Sequence, residues 1–156
     1  MRICTAMPSR LAILLYHCKM LKRLEHLGIA IEKAEKSLSL WEKIVGKESY
    51  KMEAVPSEKV NTYFFDTGNV KVELLEATDS SSVIHSFIAK KGEGLHHLAF
   101  EVENIVTAMQ YYREQGIRLL NEVPKQGADN KLICFLHPKD CGGVLIELCQ
   151  EITQQD

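Results

Sequence analysis

The stretch LHHLAFEVEN (residues 95–104) repeats a pattern already written at EHLGIAIEKA (25–34), 71 positions earlier (97 − 26 = 71). In the first copy Leu27, Ile29 and Ile31 alternate with His26, Gly28 and Ala30; in the second Leu98, Phe100 and Val102 alternate with His97, Ala99 and Glu101. Period-two alternation of this kind predicts a strand with one apolar face. A helical spacing follows each strand: Ala34, Leu38, Trp41 and Val45 after the first, and Ile105, Met109 and Tyr112 after the second. Gly46 and Gly116 supply the C-terminal stops.

Working outward, short strands are expected near 47–54 and 59–66, with the turn DTGN (66–69) leading into VKVELLEA. In the second half, strands are expected around 117–121, at 131–137 and at 143–149, with VPKQGADNK (123–131) as a loop. The two ends also match, because GNVKVELL (68–75) lies over GGVLIELC (142–149) at an offset of 74 (142 − 68 = 74). Self-similarity at such a period marks a duplicated unit. The expected fold is α+β: two β-α-β-β-β modules, about 22–78 and 93–150, related by a pseudo-two-fold. A linking helix at about 81–91 would join them, and their curved mixed sheet would enclose a cleft.

A chain of 156 residues suits one domain. Its 19 basic against 21 acidic residues leave no cationic excess for a nucleic acid. The apolar run LAILLY (11–16) is too short to span a membrane. Five cysteines with no CxxC pair, namely Cys4, Cys18, Cys134, Cys141 and Cys149, fit a reducing cytoplasm better than an oxidising compartment. Residues 1–19 read as a disordered lead or as sequence upstream of the true start, and the domain is expected to begin at Met20.

A duplication places equivalent residues face to face, and the equivalent polar pairs are His26 with His97 and Glu73 with Glu147. Each lies on the strand face opposite the large apolar residues, and the two histidines have small neighbours there that leave space. A single histidine or glutamate in a strand is ordinarily structural or solvated, so the case rests on four matched positions converging. Two imidazoles and two carboxylates form a donor set for manganese, iron, cobalt, nickel or zinc. Four protein ligands on a six-coordinate ion leave positions open for catalysis. His96 should point away from His97, because consecutive strand residues face opposite ways; His85 and His137 read as non-ligands.

The strands HLGIA and GLHHLAFEV, the link SSSVIHSFIAKKGEG (80–94) and above all FLHPKDCGGVLIEL (135–148) resemble the methylmalonyl-CoA epimerases of the vicinal oxygen chelate superfamily. The resemblance covers about residues 22–150. It implies metal ligands at His26, His97 and Glu147, with a fourth at Glu73. It also implies a cobalt or similar divalent ion, one per chain, and interconversion of (2R)- and (2S)-methylmalonyl-CoA through an enolate. Glu147 resembles one of the family's two proposed bases, while the other, a third-strand glutamate in some members, aligns on Asn61. The second proton carrier is therefore unassigned. Lys90, Lys91, Lys125, Lys131 and Lys139 read as loop cations within reach of coenzyme A phosphates, but loop lysines ordinarily only solubilise, and no residue is assigned to the nucleotide end. A homodimer is expected.

Three rivals stand beside this reading. A glyoxalase-type enzyme of the same superfamily would share the donor set, but few arginines follow Met20 (Arg23, Arg113 and Arg118). An iron dioxygenase would use two histidines and one carboxylate, leaving Glu73 surplus. A metal-free small-molecule-binding module is the rival from another class.

Overall fold

The computed structural model describes residues 20–153; the expected lead at 1–19 lies outside them. Eight strands form one mixed sheet in the order β2-β3-β4-β1-β5-β8-β7-β6, which reads the same outward from its centre in both modules. The strands are β1 (Arg23–Ile31), β2 (Lys51–Val55), β3 (Val60–Asp66), β4 (Lys71–Ala77), β5 (Gly94–Glu101), β6 (Lys125–Gln126), β7 (Lys131–Leu136) and β8 (Ile146–Glu151). The helices are α1 (Ala34–Val45), α2 (Val83–Lys91) and α3 (Ile105–Glu114). Antiparallel pairing of β1 with β5 joins the modules at the centre, and β4 and β8 run parallel to β1 and β5 on either side.

The apolar strand faces meet the outer helices. Ile31, Phe65, Val72 and Leu74 pack under α1 with Leu38 and Trp41. Cys134, Leu136 and Leu148 pack under α3 with Ile105, Ala108 and Met109. Burying each large side chain contributes roughly 1.5–3 kcal/mol, so these two clusters fix which face of the sheet turns outward. The linking helix differs. Ser82 caps it by accepting from the Ile84 amide, and Ile84, Phe87 and Ile88 pack on Ala30, Val60 and Leu75 of the inner face. Thus α2 closes one end of the cleft. Ion pairs between Lys51 and Asp129 and between Lys125 and Glu58 bring the outer hairpins of the two modules together, so the sheet curls into a half-barrel.

Three local expectations change. The strand expected at 117–121 reduces to an isolated bridge of Leu119 with Leu136. The strand expected at 143–149 begins at Ile146, because Gly142 and Gly143 take left-handed conformations (φ 65° and 88°) in a turn closed by Gly143 N–H on Pro138 O. Within the expected loop, Lys125–Gln126 pairs with β7 as a two-residue strand occupying the place of β2.

Candidate metal centre

The centre forms where β1 and β5 break their alternation. Leu24 pairs with Phe100 but His26 pairs with Ala99, leaving Glu25 as an extra residue on β1. Gly28 pairs with His97 but Ile29 pairs with Leu95, leaving His96 as an extra residue on β5. Bulges re-aim side chains in this way. Glu25 is only 1% exposed and its Oε2 accepts from His26 Nδ1 at 2.6 Å. His96 does not turn away as expected; its Nδ1 lies 2.9 Å from Nδ1 of His97. Neither contact follows from strict alternation.

With the His26 hydrogen held on Nδ1 by a carboxylate, Nε2 presents a lone pair. It faces Nε2 of His97 at 3.1 Å. Glu147 spans both rings, with Oε1 at 3.7 Å from His26 Nε2 and Oε2 at 3.6 Å from His97 Nε2. These three buried residues offer donor atoms within 4.8 Å of one another. Adjacent ligands on an octahedral ion with bonds of about 2.1 Å sit about 3.0 Å apart. The separations fit such a set slightly expanded, so the residues present suit a divalent ion.

Glu73 is buried and lines the same cavity, but its Oε1 approaches Nδ1 of His26, at 3.5 Å, rather than Nε2. The structure thus brings three of the four expected residues together and holds the fourth at the rim of the group. The two bulges fall at equivalent positions of β1 and β5 (96 − 25 = 71), but the bulged residue is a carboxylate in one module and an imidazole in the other, so the two halves of the centre differ in chemistry.

Burial raises Glu147 to about 7, with help from Glu73 and Glu25 against the opposing charge of His26. Burial also raises Glu73. At His26 burial favours the neutral ring, yet the charges of Glu73, Glu147 and Glu25 outweigh it and raise the pKa. His97 is pushed well down, first by burial and then by His26 and His96. Burial works against ionisation of Glu25, but bonds from His26 and Lys71 hold it at about 2. Glu147 and His26 must therefore shed protons to act as ligands near or below neutrality, and affinity should fall with pH. Titrating cobalt calorimetrically at pH 6.5 in two buffers of different ionisation enthalpy should show about one proton released per ion; no buffer dependence would contradict this ionisation scheme.

A cavity of about 600 Å³, including its open mouth, reaches the centre. Its walls are largely apolar, with Val55, Val60, Leu75, Val83 and Phe135, and Glu58 is its one carboxylate besides Glu73 and Glu147. The small residues beside the histidines do not open this space as expected. A Cβ on Gly28 would lie 2.2 Å from Cε1 of His97, so the ring fills that gap. Ala30 packs against Val60, Leu75 and Ile84, and Ala99 against Ile133 and Cys149. Asn61 does not line the cavity; the inward residues of β3 are Val60 and Thr62. Lys131 is no loop cation, being 5% exposed on β7 with Nζ 2.9 Å from Glu151 and 3.5 Å from Glu25. His137 accepts from the Lys139 amide at the start of the 3₁₀ turn Pro138–Asp140, and His85 is exposed on α2. Glu25 and Gly28 are the functional residues the pattern did not single out.

Paired modules closing a half-barrel around a histidine–carboxylate centre define a class of protein. The chain matches the Glyoxalase/Bleomycin resistance protein/Dioxygenase superfamily over residues 25–135. It is 41% identical over 131 residues to the mitochondrial methylmalonyl-CoA epimerase of Bos taurus, covering 83% of this chain and 75% of that one. The methylmalonyl-CoA epimerase of Mycobacterium tuberculosis superposes with a TM-score of 0.82 at 30% identity, over 87% of this chain and 92% of that one. The epimerase of Streptomyces coelicolor in complex with 2-nitronate-propionyl-CoA gives 0.79 at 32% identity, over 85% and 99%. The chain belongs to this superfamily and, within it, to the family of the methylmalonyl-CoA epimerases.

Proposed function

We propose that this protein is an isomerase interconverting (2R)- and (2S)-methylmalonyl-CoA by removing and returning the C2 proton. The observation that carries the proposal is the buried convergence of His26, His97 and Glu147 at the end of a cavity, in a chain of this family. His26, His97 and Glu147 would hold the ion, with Glu73 beside them. Cobalt, one per chain, is our reading, and manganese, nickel, zinc or iron share the donor preference. When bound, such an ion supplies Lewis-acid stabilisation for the oxygen that becomes anionic as the proton leaves.

The protein's own groups do the rest. Glu147, with a pKa of about 7, is matched to accept and return a proton near neutrality. Apolar walls keep water from the carbanionic carbon. Thr62 faces the cavity from β3, and a threonine hydroxyl does not exchange protons as a base at neutral pH. The opposite face is therefore served by Glu147 itself or by a group off β3. Glu58, held by Lys125 at 2.5 Å, is the remaining carboxylate on the wall.

We place the enzyme in the cytoplasm as a homodimer, each chain carrying a single domain at residues 20–156. Cys134, Cys141 and Cys149 are free thiols, which favours a reducing compartment. Among the described residues no helix is long and apolar enough to cross a membrane. Exposed Leu40 and Ile44 on α1 give apolar surface for pairing.

The test is exchange in D₂O. Metal-stripped protein reloaded with cobalt should wash the C2 hydrogen out of one epimer and form the other, as followed by proton NMR, while the stripped protein should do neither. No washout with cobalt bound would reject the epimerase reading and turn attention to glyoxalase-type substrates.

A further inference from the structure

We propose that Lys71 is a positioning residue for the metal centre, acting on His26 through Glu25 and tied at its far side to the β6–β7 loop that lines the cleft. The inference rests on the metal reading above. Lys71 sits opposite His26 in the β4–β1 register, so the two side chains rise from one row of the sheet. Glu25 divides its two oxygens between them. Oε2 accepts from His26 Nδ1 at 2.6 Å, and Oε1 meets Lys71 Nζ at 2.8 Å. A carboxylate held at both oxygens cannot rotate, and neither can the imidazole fixed to it. Lys131 is a weaker second anchor, because it lies closer to Glu151 than to Glu25.

The same ammonium donates to Asp129 Oδ2 at 2.5 Å. Asp129 occupies the turn between β6 and β7 with φ 54°, next to Gly127 and Ala128, which line the cavity. Its Oδ1 takes Lys51 at 3.0 Å, and its amide donates to Glu53 at 3.1 Å on the edge of the other module. A chain of ionic contacts, His26–Glu25–Lys71–Asp129–Lys51, therefore runs from the centre to the rim and crosses between modules. Lys71 is its one link that touches both the support of a ligand and the lining loop. Without it, Oε1 of Glu25 loses its closest donor, the carboxylate is free to turn, and Nε2 of His26 is no longer aimed.

The experiment titrates cobalt calorimetrically into the metal-stripped full chain and follows the downfield His26 Nδ1–H signal by ¹H–¹⁵N NMR. Lys71→Met should weaken cobalt binding by about 10–100-fold, the usual effect of removing an outer support, and broaden that signal. Lys71→Arg should restore both to within about threefold. Wild-type affinity and a sharp signal in Lys71→Met would overturn the inference, as would equal loss in Lys71→Arg. Should the Met exchange prevent folding, Lys71→Gln, which keeps a donor without the charge, is read by the same criteria. A wild-type protein that takes up no cobalt would instead reject the metal reading itself.

Discussion

Glu147→Gln should lower kcat/KM for epimerisation by about 10³-fold or more, because it removes a proton carrier and a ligand in one exchange. The carboxylate is 4% exposed and spans both imidazoles, at 3.7 Å and 3.6 Å. Glutamine keeps the shape and one acceptor oxygen but cannot pick up a proton at neutral pH. Assays across cobalt concentration separate the two roles. If saturating cobalt returns the variant to within about tenfold of wild type, Glu147 is a ligand only and the proton-transfer assignment fails. If the loss persists with cobalt demonstrably bound, the base role stands. The fold should not suffer. Burial, aided by the like charges of Glu73 and Glu25, disfavours the ionised Glu147 more than His26 favours it, so a neutral isostere removes that cost in the metal-free protein. Its thermal midpoint is expected at or above that of wild type.

Periodicity carried much of this architecture. Alternation in 26–31 and 97–102 fixed which strand face is apolar, helical spacing fixed α1 and α3, and the two offsets fixed the duplicated order seen in the sheet. The convergence of His26, His97 and Glu147 followed from the same logic, since residues equivalent in a duplication meet at its axis. What periodicity does not encode is its own interruption. A bulge adds one residue to one strand without changing the composition around it, so Glu25 behind His26 and His96 beside His97 were illegible. Asn61, the position expected to match a family base, does not line the cavity. A one-residue slip in a strand exchanges the two faces, and it is Thr62 that turns inward. The two-residue β6 lies in a segment whose glycine, proline and asparagine content reads as loop, and it is a strand only because β7 is there to pair with it.

Gly28→Ala should leave the protein folded and cost it the centre. Gly28 has no unusual backbone conformation among the glycines, so the substitution carries no φ penalty. The conflict is local: an added Cβ would lie 2.2 Å from Cε1 and 2.6 Å from both Nδ1 and Nε2 of His97. Backbone on β1 cannot retreat, because the strand is paired on both sides, with β4 and with β5. The imidazole, at the far end of a side chain, is the part that moves. That displacement takes Nε2 away from its partner at 3.1 Å on His26 and from Glu147, and takes Nδ1 away from His96. Cobalt affinity is expected to fall by about 100-fold, on the scale set by disturbing the shell that orients a ligand. Epimerisation at limiting cobalt should fall with it, and the metal-free melting temperature should stay within a few degrees of wild type. Calorimetric titration beside a thermal melt decides the matter. An alanine variant that binds cobalt as wild type does would mean that the His97 ring is not seated on Gly28 in the working protein. A variant that loses affinity and stability together would show that the strand, not the ring, had yielded.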